Sequence, residues 1–270
     1  MIAVLTVLQE ILYWAAELMV VCVVVSYWAP QLEKHRHRIT VTALGALTLA
    51  VAARWVVSGH PPIFGTFENS LAGSWSILVF LMALERGFLD GFFPRVLGRW
   101  LSLWMPAMLV VGLFFQRLPV PLTISERSLF IDVHVTLAWV AHTLLLATST
   151  AALLVVAGRA GEAEAEWDGA LFRGAGMGFA FFTMMIAVGS VYSYLLFSDW
   201  FKWEITETFA AAAWLVYGLA IHAALFFGWR GKKLAWVLLI ALPLMLATFW
   251  VWSFYPGTYH HFEIPMLRAS

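Results

Sequence analysis

Asp132 to Ala157 reads DVHVTLAWVAHTLLLATSTAALLVVA, and after its opening aspartate it carries no acidic or basic residue except two histidines. A helix of this length outlasts a ~30 Å hydrocarbon core, which needs about 20 apolar residues at ~1.5 Å each. Seven more runs share its character: Val4 to Trp28, Ile39 to Val57, Ser70 to Leu89, Arg99 to Phe115, Arg173 to Phe197, Thr206 to Trp229 and Leu234 to Phe254. None alternates as a lumen-facing barrel strand would, so all eight read as helices. Composition agrees: 62% of residues are hydrophobic, 12% are charged, and the mean hydropathy of +0.84 excludes an ordinary soluble domain. The first run has neither a basic leading region nor a small-residue cleavage site, so it is expected to stay as a span. The expected fold is an all-α polytopic membrane helix bundle of eight transmembrane helices, forming a single domain over residues 1–270.

Eight spans put both termini on one side, and the basic residues indicate which. Lys34, Arg36, Arg38, Arg86, Arg95, Arg99, Arg159, Arg173, Arg230, Lys232 and Lys233 fall on one set of loops and span ends. Arg54, Arg117, Arg127, Lys202 and Arg268 fall on the other, so the first set is assigned to the cytoplasm and both termini to the outside. Formal net charge is zero, which gives no electrostatic case for a nucleic-acid partner. The lone Cys22 cannot form an intrachain disulfide, and without Cys-x-x-Cys-His the chain is not itself a c-type cytochrome.

The segment 158–169 (GRAGEAEAEWDG) reads as a solvated cytoplasmic connector. The outer loops SGHPPIFGTFEN (58–69) and QRLPVPLTISERSLF (116–130) are rich in proline, with glycine in the first, a composition suited to an ordered cap.

Histidine is the commonest metal ligand and is costly in lipid. His35 and His37 lie in a basic surface loop. His134 opens the fifth span at the outer face, and His260 and His261 follow the eighth on that face, so two spans can supply a ligand pair or interfacial hydrogen bonds. His222 lies sixteen residues into its span, ~24 Å from the outer end, and cannot join that pair. His142 follows His134 by eight residues, about 12 Å deeper on the same helix. Glu17 and Arg54 are the other unusual charges within spans, functional candidates by default.

Many of the fifteen tryptophans fall at span ends, as an interfacial belt requires. Trp200, Phe201 and Trp203 differ: in Phe197 to Thr208 (FSDWFKWEITET) they stand with Asp199, Lys202, Glu204 and Glu207. Flat apolar faces beside charges suit a porphyrin with two propionates.

Together these residues resemble the cytochrome c assembly family of membrane haem-handling proteins, which includes CcsA/ResC and, more distantly, CcmC. Arg54 to His60 (RWVVSGH), Pro62, Glu68 and Ser74 to Ser76 resemble the family's second-span exit and third-span entry. His134-Val135 resembles its outer-face histidine, and Phe197 to Thr208 its tryptophan-rich WWD segment, with Trp203, Glu207 and Thr208 in matching places. Trp214 and His222 follow at the family's spacing, and Gly257 to Phe262 falls where a second outer histidine is expected. The chain departs from the pattern at Phe197 and Phe201, where the family has Trp, at Glu204 for Asp, and at Ile205 for Pro. Aromatic character survives while two indole N–H donors are lost and one carboxylate sits a methylene farther out.

The resemblance implies cytochrome c biogenesis in a bacterial, archaeal or thylakoid-type membrane. Haem b would be delivered to an outer site, where its vinyl groups meet the thiols of an apocytochrome c Cys-x-x-Cys-His motif. His134 and His260 or His261 resemble the outer axial ligands of the haem iron, and His222 a ligand of an inner haem. The mate of His222 would come from a CcsB/ResB-like membrane subunit, or from His142 within the chain. Trp200, Phe201, Trp203, Glu204 and Glu207 would contact the haem, making the chain a haem lyase (holocytochrome c synthase) subunit. A non-catalytic HemX-like haem-binding protein, a b-type cytochrome and a transporter of another apolar solute are the alternatives.

Overall fold

The structure is a computed structural model that describes residues 2–115, 117, 122, 126–160 and 164–255. Helices account for nearly all of it: α1 (Ile2–Trp28), α2 (Arg36–Ser58), α3 (Thr66–Glu85), α4 (Leu97–Leu101), α5 (Trp104–Gly112), α6 (Leu129–Val156), α7 (Glu164–Phe197), α8 (Ile205–Phe226) and α9 (Gly231–Phe254). Among the described residues there is no strand, and seven helices are long and apolar enough to cross a membrane.

The fourth apolar run is the exception. Its residues form the shorter apolar stretch Leu97–Gly112, broken between α4 and α5 at Ser102 and Leu103. Pro106 supplies the reason: a proline ring clashes with the carbonyl four residues back, here that of Ser102, and has no N–H to offer it. Sixteen helical residues would reach ~24 Å, short of the ~30 Å core.

The chain clusters into two compact units, one within 1–88 and 98–127, the other within 89–97 and 128–261. In the first, α1 packs on α2, α2 on α3, and α3 on α5. Its core includes Tyr13, Val20, Leu47, Phe67, Leu71 and Leu81, and Gly112 lets α5 approach Ser70 of α3 closely. At the basic end, Glu85 accepts from the Tyr27 hydroxyl (2.8 Å) and Thr40 Oγ1 (2.9 Å), tying three helices together. His37 joins that cluster, 3.4 Å from Glu85 through Nδ1 and accepting from Arg86 Nε at 3.1 Å through Nε2.

In the second unit, α6 packs chiefly on α7 and α9, and α8 on α9 and α7. A side chain at Gly178 would strike Leu145, so α6 and α7 approach at a distance that larger residues forbid, as is usual between membrane helices. Tyr217 reaches from α8 into the centre, 3.4 Å from Ser149 Oγ and 3.7 Å from Met245 Sδ. The start of α9 is tied to α7 by a bond from Gly231 N–H to Asp168 Oδ1 (2.6 Å).

Candidate functional site

His134 enters α6 five residues after its first, Leu129, behind the Ser128 cap that accepts from the Phe130 N–H. Its ring crosses to α7, where Nδ1 lies 2.8 Å from the Met185 carbonyl. A carbonyl only accepts, so the proton sits on Nδ1 and the lone pair on Nε2, the arrangement that orients a metal-binding imidazole. Gly189, one turn farther along α7, makes room: a Cβ there would lie 2.8 Å from both Cε1 and Nδ1 of the ring. The ring is half-buried, held on one side by α7.

The aromatic segment follows the end of α7. That helix stops at Ser198, whose left-handed backbone (φ 56°) lets its N–H bond the Tyr194 carbonyl at 2.8 Å. Trp200 then stacks on Tyr194, centroids 4.5 Å apart and planes at 15°, and Phe201 meets Trp203 edge-on at 4.7 Å. Trp203 is 71% exposed and Trp200 55%, beside the exposed Tyr194, Leu195 and Leu196. Trp203 is also left-handed (φ 55°), which costs a non-glycine residue about 1–2 kcal/mol. Tyr194 stands nine residues beyond Met185, so the stacked pair lies ~14 Å along α7 from the carbonyl that holds His134.

The two glutamates bond to backbone. Glu204 caps α8, its Oε1 accepting from Glu207 N–H at 3.0 Å, and Glu207 Oε2 accepts from Lys202 N–H at 2.7 Å. Lys202 lies 3.6 Å from Asp199 and over the Phe197 ring.

His222 lies on an exposed face of α8, its Nδ1 2.7 Å from the Gly218 carbonyl and its ring against Phe226. The lone pair is again on Nε2. His142 is placed differently. It is buried, with Nδ1 2.6 Å from the Ala138 carbonyl, Nε2 2.9 Å from Thr248 Oγ1 on α9, and Phe249 and Phe182 against its ring. Both of its nitrogens are engaged inside the unit, whereas His222 faces outward. His260 and His261 lie outside the described residues. No group of three or more His, Cys, Asp or Glu is set to hold a metal ion among the described residues.

A second constellation, in the first unit, received no role from the sequence beyond the candidacy of Arg54. Arg54 and Glu68 are 2% and 1% exposed and form an ion pair at 2.7 Å. Glu68 Oε2 also accepts from Phe64 N–H (3.0 Å) and lies 3.9 Å from His60 Nδ1, which is 2.9 Å from the Pro61 carbonyl. Arg54 Nη1 donates to the Arg117 carbonyl, and the Arg117 guanidinium pairs with Glu10 at 2.6 Å over the Tyr13 and Phe67 rings. Glu17 accepts from the Tyr13 hydroxyl. The bonds at Gly59, Phe64 and Asn69 order the loop after α2, as its composition predicts. The available signal was an arginine near one span end and a glutamate at the next span's start.

Residues 12–258, which include His134, the aromatic segment, His222 and the Arg54–Glu68 pair, match the family described as "Cytochrome C assembly protein". The chain belongs to this cytochrome c assembly family. Among relatives, the cytochrome c biogenesis protein CcsA of Synechococcus sp. (strain RCC307) is 24% identical over 239 residues, 74% of this chain and 75% of that protein. CcsA of Chlamydomonas reinhardtii is 27% identical over 203 residues, 69% of this chain and 56% of that protein. CcsA of Synechococcus sp. (strain CC9311) is 24% identical over 273 residues, with 83% and 87% covered. The match spans both compact units, so the Arg54–Glu68 pair falls inside the assembly-protein sequence as fully as His134 does.

Proposed function

We propose that this chain acts in cytochrome c biogenesis by receiving haem b in the membrane and presenting it at the outer face for thioether attachment to apocytochrome c. The observation that carries the reading is His134, whose Nδ1–H is bonded to the Met185 carbonyl, which fixes the ring's orientation and puts its lone pair on Nε2, the nitrogen that would ligate iron. Trp200 and Trp203, exposed on the same unit at the end of α7, supply aromatic surface for a flat macrocycle. His260 or His261, which follow α9, would supply the second outer ligand. Haem is the cargo of this site, and holding vinyl carbon and thiol sulfur in register is the contribution asked of the protein.

His222 would ligate an inner haem. An imidazole on the exposed face of a membrane helix is costly unless partnered, and that exposure favours a ligand from a separate CcsB/ResB-like subunit over the enclosed His142. In this reading both units form one membrane domain with eight crossings and both termini outside, the α4–α5 stretch making the extra crossing. The apolar run continues past Gly112 to Phe115, and that added length supports the count, while the basic loops support the orientation.

Co-expression with a CcsB/ResB-like subunit and an apocytochrome c tests the function. Covalent haem on the cytochrome, retained after denaturation, is expected with the wild-type chain and lost with His134→Ala. Equal haem attachment in cells lacking this chain would refute the role.

A further inference from the structure

Trp203 sits in a left-handed backbone conformation that a tryptophan does not adopt unaided, so its surroundings must hold it there. Two carboxylates do so. Glu207 Oε2 accepts from the N–H of Lys202, just before Trp203, and Glu204, just after it, accepts from the N–H of Glu207. Thr208 Oγ1 closes the turn on the Glu204 carbonyl at 2.9 Å. The chain is therefore pinned on both sides of the indole, which stands outward and edge-on to Phe201.

We infer that Glu207, together with Glu204, is a positioning residue that sets the direction of the Trp203 ring and does not itself contact the haem. The inference rests on the haem-handling reading and deepens it. Charge favours it: the polar edge of haem carries two carboxylates, which two glutamates would repel. A turn released from Glu207 lets Trp203 relax into the β or right-handed region and swings the indole off the exposed surface.

The test is haem content and absorbance band position of the full chain purified in detergent. Glu207→Gln keeps an oxygen that accepts from Lys202 N–H, so it is expected to retain wild-type content and bands. Glu207→Ala is expected to lose about fivefold, the weight of one capping hydrogen bond, and to match Trp203→Ala. The double variant should bind no worse than either single one, since both act through the same ring. Glu207→Gln falling as far as Glu207→Ala overturns the inference, because charge would then be what matters. Should Glu207→Ala fail to accumulate, Glu204→Asn decides with Glu207→Gln: asparagine still caps α8, and haem loss in it overturns the positioning role. Wild-type protein that binds no haem removes the haem reading and this inference together. Haem that depends on His134 while Glu207→Gln loses it removes this inference alone.

Discussion

Replacing Arg54 by alanine leaves the Glu68 carboxylate, 1% exposed, with the Phe64 N–H and a distant His60 ring. Two bonds vanish together, to Glu68 Oε1 and to the Arg117 carbonyl. Removing one partner of a buried pair costs about 3–5 kcal/mol, because the remaining charge is uncompensated. At about 2–4 °C per kcal/mol for a chain of this size, the expected fall in Tm is on the order of 10 °C. The double replacement Arg54→Met/Glu68→Leu removes both charges at similar volume and should recover most of that loss. Scanning fluorimetry of the detergent-solubilised protein, with size-exclusion recovery after heating, measures both. An Arg54→Ala protein as stable as wild type, or a double variant no better than the single one, would show that the two charges do not depend on each other.

Other consequences are as concrete. Gly189→Ala puts a methyl group 2.8 Å from the His134 ring, so it should break the bond to Met185 and lower haem content as His134→Ala does, with helix content by circular dichroism unchanged. Among the described residues no acceptor meets the Nε1–H of buried Trp139, so Trp139→Phe should cost only the packing lost with the smaller ring, whereas Thr248→Val, which abandons His142 Nε2, should cost about 1–3 kcal/mol in the same thermal assay. His222→Ala should lose inner haem and regain it with added imidazole, which refills a ligand position but cannot mend packing; full haem content without imidazole would make His222 a packing residue. Outside the spans, hydrogen bonds from Arg95 hold the Asp90 carboxyl below the ordinary aspartate range, so this pairing contributes above the unfolded-state pKa and fades as pH falls through the folded one. The pair is solvent-exposed, so Arg95→Gln should return the Asp90 titration to the ordinary range with little change in Tm.

The helices were legible because twenty apolar residues in succession have few other fates, and Asp132 to Ala157 sits inside the span of α6 almost to the residue. The break at Ser102 was legible in principle from Pro106, yet α9 carries Pro243 without ending, so the imino acid alone does not say whether a helix stops. Side-chain roles were harder. The acceptor that orients His134 is a backbone carbonyl fifty-one residues away, and backbone carbonyls have no sequence signature. Glu204 and Glu207 read as charges beside aromatics, while their bonds to Glu207 N–H and Lys202 N–H become visible only once the turn at Trp203 is seen. Arg54 stood out as a charge within a span, but its match with Glu68 depends on how the intervening loop folds back.

Haem handling through His134 is tested most simply by the optical spectrum of the purified chain, reduced and oxidised, beside that of His134→Ala. Low-spin haem absorbance is expected in the wild-type protein, with the outer-site component lost in the variant and restored in part by imidazole. A wild-type spectrum without haem absorbance, from protein co-expressed with a CcsB/ResB-like subunit, would overturn this reading, as would a His134→Ala spectrum identical to wild type.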